Sequence, residues 1–97
     1  MTRDQTLSLL TQHGPAIRQQ YHVERLALFG SIARDEAQEG SDVDLLVEFD
    51  GPASFDRFMD LKFHLEDLLG TRVDLVTVKA VRRQLRSTIE NEAIRVA

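Results

Sequence analysis

Leu26-Ala27-Leu28-Phe29-Gly30-Ser31, a gap of ten residues, then Asp42-Val43-Asp44-Leu45-Leu46-Val47 is the stretch on which the reading of this chain turns. Leu26–Phe29 is continuously apolar, the pattern of a strand covered on both faces. Gly30-Ser31 reads as a tight turn, residues 31–38 as a short helix closed by Glu39-Gly40, and residues 42–49 as a second central strand. Side chains at i and i+2 on a strand share a face, so Asp42 and Asp44 project together. Two such carboxylates repel unless one is protonated or a cation lies between them. With no His or Cys nearby, oxygen-only ligation suits Mg²⁺, or Mn²⁺, rather than zinc.

On the amino-terminal side, Thr2 offers a helix cap, and Leu7, Leu9, Leu10 and Ile17 recur at roughly helical spacing. Gly14-Pro15 predicts a break or kink there, with a shorter second piece before the strand at residues 23–29. On the carboxyl-terminal side, Asp50-Gly51-Pro52 is a turn. Ser54 then caps a helix with Phe55, Phe58, Leu61, Leu65 and Leu68 as its apolar stripe and Gly70 as its stop. Residues 72–78 form a third strand; Val81, Leu85 and Ile89 give a last helix its inward face. Residues 93–97 allow a short edge strand. The order αβαβαβα predicts an α/β (α+β) fold, with a small mixed three-stranded sheet, room for a short fourth strand, and about four flanking helices.

Ninety-seven residues make one domain, 1–97, with an ordinary globular composition of 42% hydrophobic and 29% charged residues. The absence of cysteine excludes a disulfide framework and a thiolate metal site. No run reaches the length of a membrane span and the start has no apolar signal-like core, so a cytoplasmic location is the default expectation. A net charge of −4 argues against a dedicated nucleic-acid binder and suits a chain that gathers a cation.

A third acid, Asp74, interrupts the apolar run Val73, Leu75, Val76. If its strand neighbours that of Asp44, three carboxylates share one face and can hold two ions for in-line phosphoryl displacement. Asp74 would then also be placed to take the proton of an attacking hydroxyl. Gly30 lets the backbone approach a phosphate, and the Ser31 hydroxyl either donates to a phosphate oxygen or caps the helix. Gly-Ser alone and Asp-x-Asp alone are weak signals. Their joint spacing, followed by a strand Asp, is specific.

On these residues the chain resembles the DNA polymerase beta-type nucleotidyltransferase superfamily. Its length, Ser41 before the Asp pair, and Arg72-Val73-Asp74-Leu75-Val76 are similar to the minimal nucleotidyltransferase (MNT) branch, and the likeness extends through Glu92-Ala93-Ile94-Arg95-Val96. The resemblance implies that Gly30 and Ser31 hold the triphosphate of ATP, that Asp42, Asp44 and Asp74 ligate Mg²⁺, and that Asp74 serves as base. Arg34 is implied as a phosphate contact. Members often carry Ala-Arg-Gly-Glu where this chain has Ala33-Arg34-Asp35-Glu36. The branch further implies a HEPN-family toxin as partner, inactivated by transfer of AMP to a tyrosine. The alternatives are a non-catalytic antitoxin that masks its partner, or transfer to a small molecule, with a homo- or hetero-oligomer completing the site.

Lys79, Arg82, Arg83 and Arg86 fall at helical spacing, either a solvated face of the last helix or a surface for docking or steering ATP. Phe55, Phe58 and Phe63 are expected in the core, Phe63 or Met59 alternatively at an interface. His13, His22 and His64 have no ligand spacing and are expected at the surface, and Tyr21 at the edge of the core.

Overall fold

The fold begins with a helix that the sequence's strongest breaker fails to break. A computed structural model describes residues 2–38 and 40–97; Glu39, half of the expected stop at 39–40, lies outside the described residues. Helix α1 (Arg3–Tyr21) opens with a reciprocal cap: the Thr2 hydroxyl accepts from the Gln5 N–H, and the Gln5 side chain accepts from the Thr2 N–H. It continues through Gly14-Pro15 as one helix, so of the break or kink expected there the break, with its separate second piece, does not occur. Pro in a helix interior costs about 3 kcal/mol. The buried face Leu10, Gly14, Ile17, Tyr21 offsets this, since Leu10 and Ile17 each contribute about 2 kcal/mol by burial.

Gly14 has its own reason to be there. A Cβ at that position would lie 2.8 Å from the Val96 carbonyl oxygen. The glycine is a seat for the carboxyl-terminal backbone, not a hinge.

Strand β1 (Val23–Phe29) follows, then the single turn α2 (Gly30–Ala33), β2 (Val43–Phe49), α3 (Phe55–Leu69), β3 (Val73–Thr77), a 3-10 turn (Val78–Ala80), α4 (Arg83–Glu92) and β4 (Ile94–Arg95). The sheet order is β3-β2-β1-β4. β1 is antiparallel to both β2 and β4, while β2 and β3 run parallel, joined through α3. The sheet is therefore mixed and four-stranded, the fourth strand being the short edge piece expected near the end of the chain.

The helix expected over 31–38 stops at Ala33. Asp35 turns left-handed at φ 60°, its N–H bonding the Ile32 carbonyl and the Glu36 N–H that of Ser31. This is the Schellman ending, which normally uses glycine at that position. Asp35 fills the place of the usual glycine and, as a short polar residue, tolerates the conformation.

One sheet face packs on α1 and α3, where Leu10, Leu26, Leu28, Val43, Leu45, Val47, Leu61 and Leu65 are fully buried. Helix α3 is capped as expected, the Ser54 hydroxyl accepting from the Arg57 N–H and Gly70 closing it at φ 67°. Its inward row is Leu61, Leu65 and Leu69, so Phe55 and Phe63, expected inside, stand 75% and 54% exposed. Helix α4 lies over the opposite face, where Leu46, Val78, Val81, Arg86, Ile89 and Glu90 line one small crevice. Arg25 fastens it with paired hydrogen bonds of 2.8 and 2.7 Å to Glu90.

Leu85, expected to face inward, is 53% exposed, because α4 turns Arg86, Ile89 and Glu90 to that crevice and Leu85 is not part of its lining. The expected basic stripe is likewise split, Lys79 lying in the 3-10 turn and the three arginines at or after the start of α4. Among the described residues no helix is long and apolar enough to cross a membrane.

Candidate nucleotide and metal site

Strand pairing decides which acids meet. In the parallel ladder β2–β3, Asp44 is the direct partner of Asp74, so the two side chains leave the sheet on the same face. In the antiparallel ladder β1–β2, Asp44 is also the partner of Phe29, the last residue before Gly30. One half-buried acid thus has a carboxylate on one side and the Gly-Ser turn on the other. Gly30 sits at φ +77°, and a Cβ there would fall on the Asp44 carboxylate, 2.9 Å from its Cγ. Only glycine allows turn and acid this approach.

Asp42 lies one residue before β2 and is exposed, with its carboxylate 3.5 Å from Arg72 Nε. Among the described residues, no group of three His, Cys, Asp or Glu side chains is arranged to hold a metal ion. Of the three acids expected on one sheet face, the ladder pairs Asp44 with Asp74, whereas Asp42, expected to project with Asp44 from the same strand, lies outside β2 and leans on Arg72. Three uncompensated carboxylates repel, and Arg72 offers Asp42 relief.

The electrostatics of the pair are those of a site short of positive charge. The Asp44 carboxyl is pushed up from 3.8 to about 6, first by burial, then by the negative charges of Asp74 and Asp42, with Arg34 opposing. A divalent cation would offset that repulsion, and an all-oxygen donor set suits Mg²⁺ or Mn²⁺. The Asp44–Asp74 pair fits such an ion, which needs only one or two carboxylates from the protein.

Across the turn, Ser31 is half-buried beside Gly30 in the first turn of α2. Arg34, at the end of α2, bonds through Nε to Glu36 at 3.0 Å and through Nη1 to both Glu92 carboxylate oxygens at 3.1–3.2 Å. Glu92 also accepts from the Gly30 N–H at 3.0 Å. Sequence reasoning assigned Glu92 no role of its own, because 62 residues separate it from Gly30 and only strand pairing brings them together. Tyr21 and His64 form a second unforeseen pair, hydroxyl to Nδ1 at 3.0 Å, away from this corner.

Residues 10–96 match the family model of the nucleotidyltransferase domain. The protein adenylyltransferase MntA of Thermococcus cleftensis is 38% identical over 96 residues, covering 99% of this chain and 97% of the relative. A solved structure described as a minimal nucleotidyltransferase superposes with a TM-score of 0.83 at 37% identity, covering 97% of this chain and 95% of that one. The fold is also that of the Shewanella oneidensis complex of a tri-AMPylated HEPN toxin with an MNT antitoxin, with a TM-score of 0.68 at 17% identity over 94% of this chain and 71% of that one. A mixed sheet that sets an acid pair against a Gly-Ser turn, in a chain matched over nearly its whole length, makes this protein a nucleotidyltransferase of the minimal (MNT) branch of the nucleotidyltransferase domain family.

Proposed function

We propose that the chain transfers AMP from ATP, in a Mg²⁺-dependent reaction, to a hydroxyl of a protein, and that this protein is a HEPN-family toxin which the transfer silences. The observation that carries the reading is the Asp44–Asp74 pair facing the Gly30 turn. Its support from outside the chain is twofold: the Thermococcus relative is named a protein adenylyltransferase, and the Shewanella complex holds an AMPylated HEPN toxin with an MNT antitoxin.

Asp42, Asp44 and Asp74 would hold Mg²⁺, which supplies Lewis-acid stabilisation of charge on the phosphate oxygens. Gly30 and Ser31 accommodate the triphosphate, and Arg34 adds a positive charge to it. The acceptor hydroxyl oxygen attacks the α-phosphorus in line, its proton passes to the exposed Asp74 carboxylate, and the bond to the bridging oxygen breaks, releasing pyrophosphate. The Asp44 carboxyl, raised to about 6, is ionised at neutral pH and available to a cation. An acceptor supplied by a second protein agrees with the arrangement, since exposed Asp74 lies open to an incoming hydroxyl.

The test is to incubate the protein with a cognate HEPN-family protein, ATP and Mg²⁺, and weigh the partner. A gain of one or more AMP groups, lost with Asp44→Ala or Asp74→Ala, supports the reading. Neutralisation of the partner that persists without ATP and in both variants overturns it in favour of masking.

A further inference from the structure

The carboxyl-terminal strand and the Gly30 turn are linked by a register that a side chain extends. In the β1–β4 ladder Ala27 pairs with Arg95 and Leu28 with Ile94. Followed two residues further along β1, the same antiparallel register sets Gly30 opposite Glu92. At that rung α4 has taken over from the strand, and the backbone offers the turn no acceptor. The Glu92 carboxylate supplies one instead, accepting the Gly30 N–H at 3.0 Å. The same carboxylate receives Arg34 Nη1 through both oxygens, while Glu36 holds Nε. Among the described residues the remaining arm of the guanidinium, Nη2, donates to no protein group, and Arg34 acts on Asp44 from this position.

We propose that Glu92 is a positioning residue for nucleotide binding: it pins the Gly30 turn and aims Arg34 so that Nη2 meets the triphosphate. The inference rests on the nucleotide reading given above and adds to it the means by which the last helix and strand set phosphate affinity. Glu92 acts through Arg34 and the turn and touches no reacting atom. Two acceptor oxygens serve two donors here, so the side chain has two separable functions. Gln at this position keeps an oxygen for the Gly30 N–H and loses the charge that fixes Arg34.

The experiment is calorimetric titration of MgATP into the full chain and into Glu92→Ala, Glu92→Gln, Arg34→Ala and the Glu92→Ala/Arg34→Ala double variant. Each variant's melting temperature is recorded alongside. Loss of one charge-assisted contact predicts about tenfold weaker MgATP binding in Glu92→Ala and in Arg34→Ala, and a double variant no weaker than about twofold beyond either single one. Glu92→Gln is expected between wild type and Glu92→Ala. A purely structural role moves the melting temperature and not the coupling, so additive losses, or Glu92 variants that melt lower yet bind MgATP as wild type does, overturn the inference. If Glu92→Ala does not fold, Glu92→Gln decides alone: weaker binding supports the inference and unchanged binding overturns it. Wild-type protein that does not bind MgATP overturns the nucleotide reading and this inference together, whereas wild-type binding with unaffected variants overturns this inference only.

Discussion

Asp44 and Asp74 stand side by side as direct partners in a parallel pair of strands, two acids in a ladder otherwise built from Val, Leu and Thr. Such a pair is costly in the resting protein. Its carboxylates repel, and burial raises Asp44 further, so the site is held at the expense of stability.

That cost gives a pH signature. The folded-state value of Asp44 lies above its ordinary one, near 6 against 3.8, so between those values the folded chain binds more protons than the unfolded. The Asp44 contribution to the stability of the metal-free protein therefore falls as pH rises from about 4 to 6 and levels off above, set against the opposite slope of Glu90, whose carboxyl Arg25 holds below its usual range. With roughly half the shift discounted for solvent screening, the loss is on the order of 1–2 kcal/mol. Asp44→Asn should abolish nucleotidyl transfer and raise neutral-pH stability by about that amount, flattening the slope. Urea midpoints measured in chelator from pH 4 to 8 check it; an unchanged slope in the variant would refute the assignment.

Gly30→Ala should disable the site more than it unfolds the chain. A methyl group at φ +77° costs about 1–2 kcal/mol on backbone grounds and would displace the Asp44 carboxylate as well. We expect a melting temperature lower by several degrees, a folded circular dichroism spectrum, and no detectable transfer. Full activity would show that turn and acid need not touch.

Gly14 sets helix propensity against packing. Alanine is the better helix former by about 0.5–1 kcal/mol, yet its Cβ would come within 2.8 Å of the Val96 oxygen and 3.2 Å of the Ala97 Cβ. Packing should prevail, with Gly14→Ala destabilising the protein by about 1–3 kcal/mol. A peptide of residues 2–22 should respond the other way and become more helical. Stabilisation in both settings would remove the seat assigned to this glycine.

Asp35→Gly should stabilise. The position needs φ near +60°, which glycine adopts freely, and the exposed aspartate makes no ion pair among the described residues. Relief of the left-handed strain outweighs glycine's greater unfolded-state entropy by about 0.5 kcal/mol. Thermal melts of the two proteins decide the sign.

What the sequence made legible was local. Gly30 and Asp44 belong to one strand–turn–strand segment and meet there without help from any distant contact, whereas Asp42, read as part of the strand, falls one residue before it and turns to Arg72. Asp74 needed one added condition, that its strand lie beside β2, which the pairing satisfies. The errors lie where a distant partner overrides a local rule. Gly14-Pro15 reads as a break only if nothing presses on the helix, whereas the Val96 backbone does. Leu85 and Phe55 read as core because helical spacing gives a face but not the width of its cover. Asp35 was visible as a departure from Ala-Arg-Gly-Glu, and its backbone keeps the glycine conformation. Glu92 was invisible, because a carboxylate completing a strand register has no periodicity to betray it.

The contact between Gly14 and Val96 also orders events during synthesis. Helix α1 is made well before the backbone it must cradle, so their closure waits on synthesis of the strands and helices that lie between them in the chain. Until then α1 keeps its proline penalty with part of its buried face uncovered, a nascent state open to chaperones and proteases.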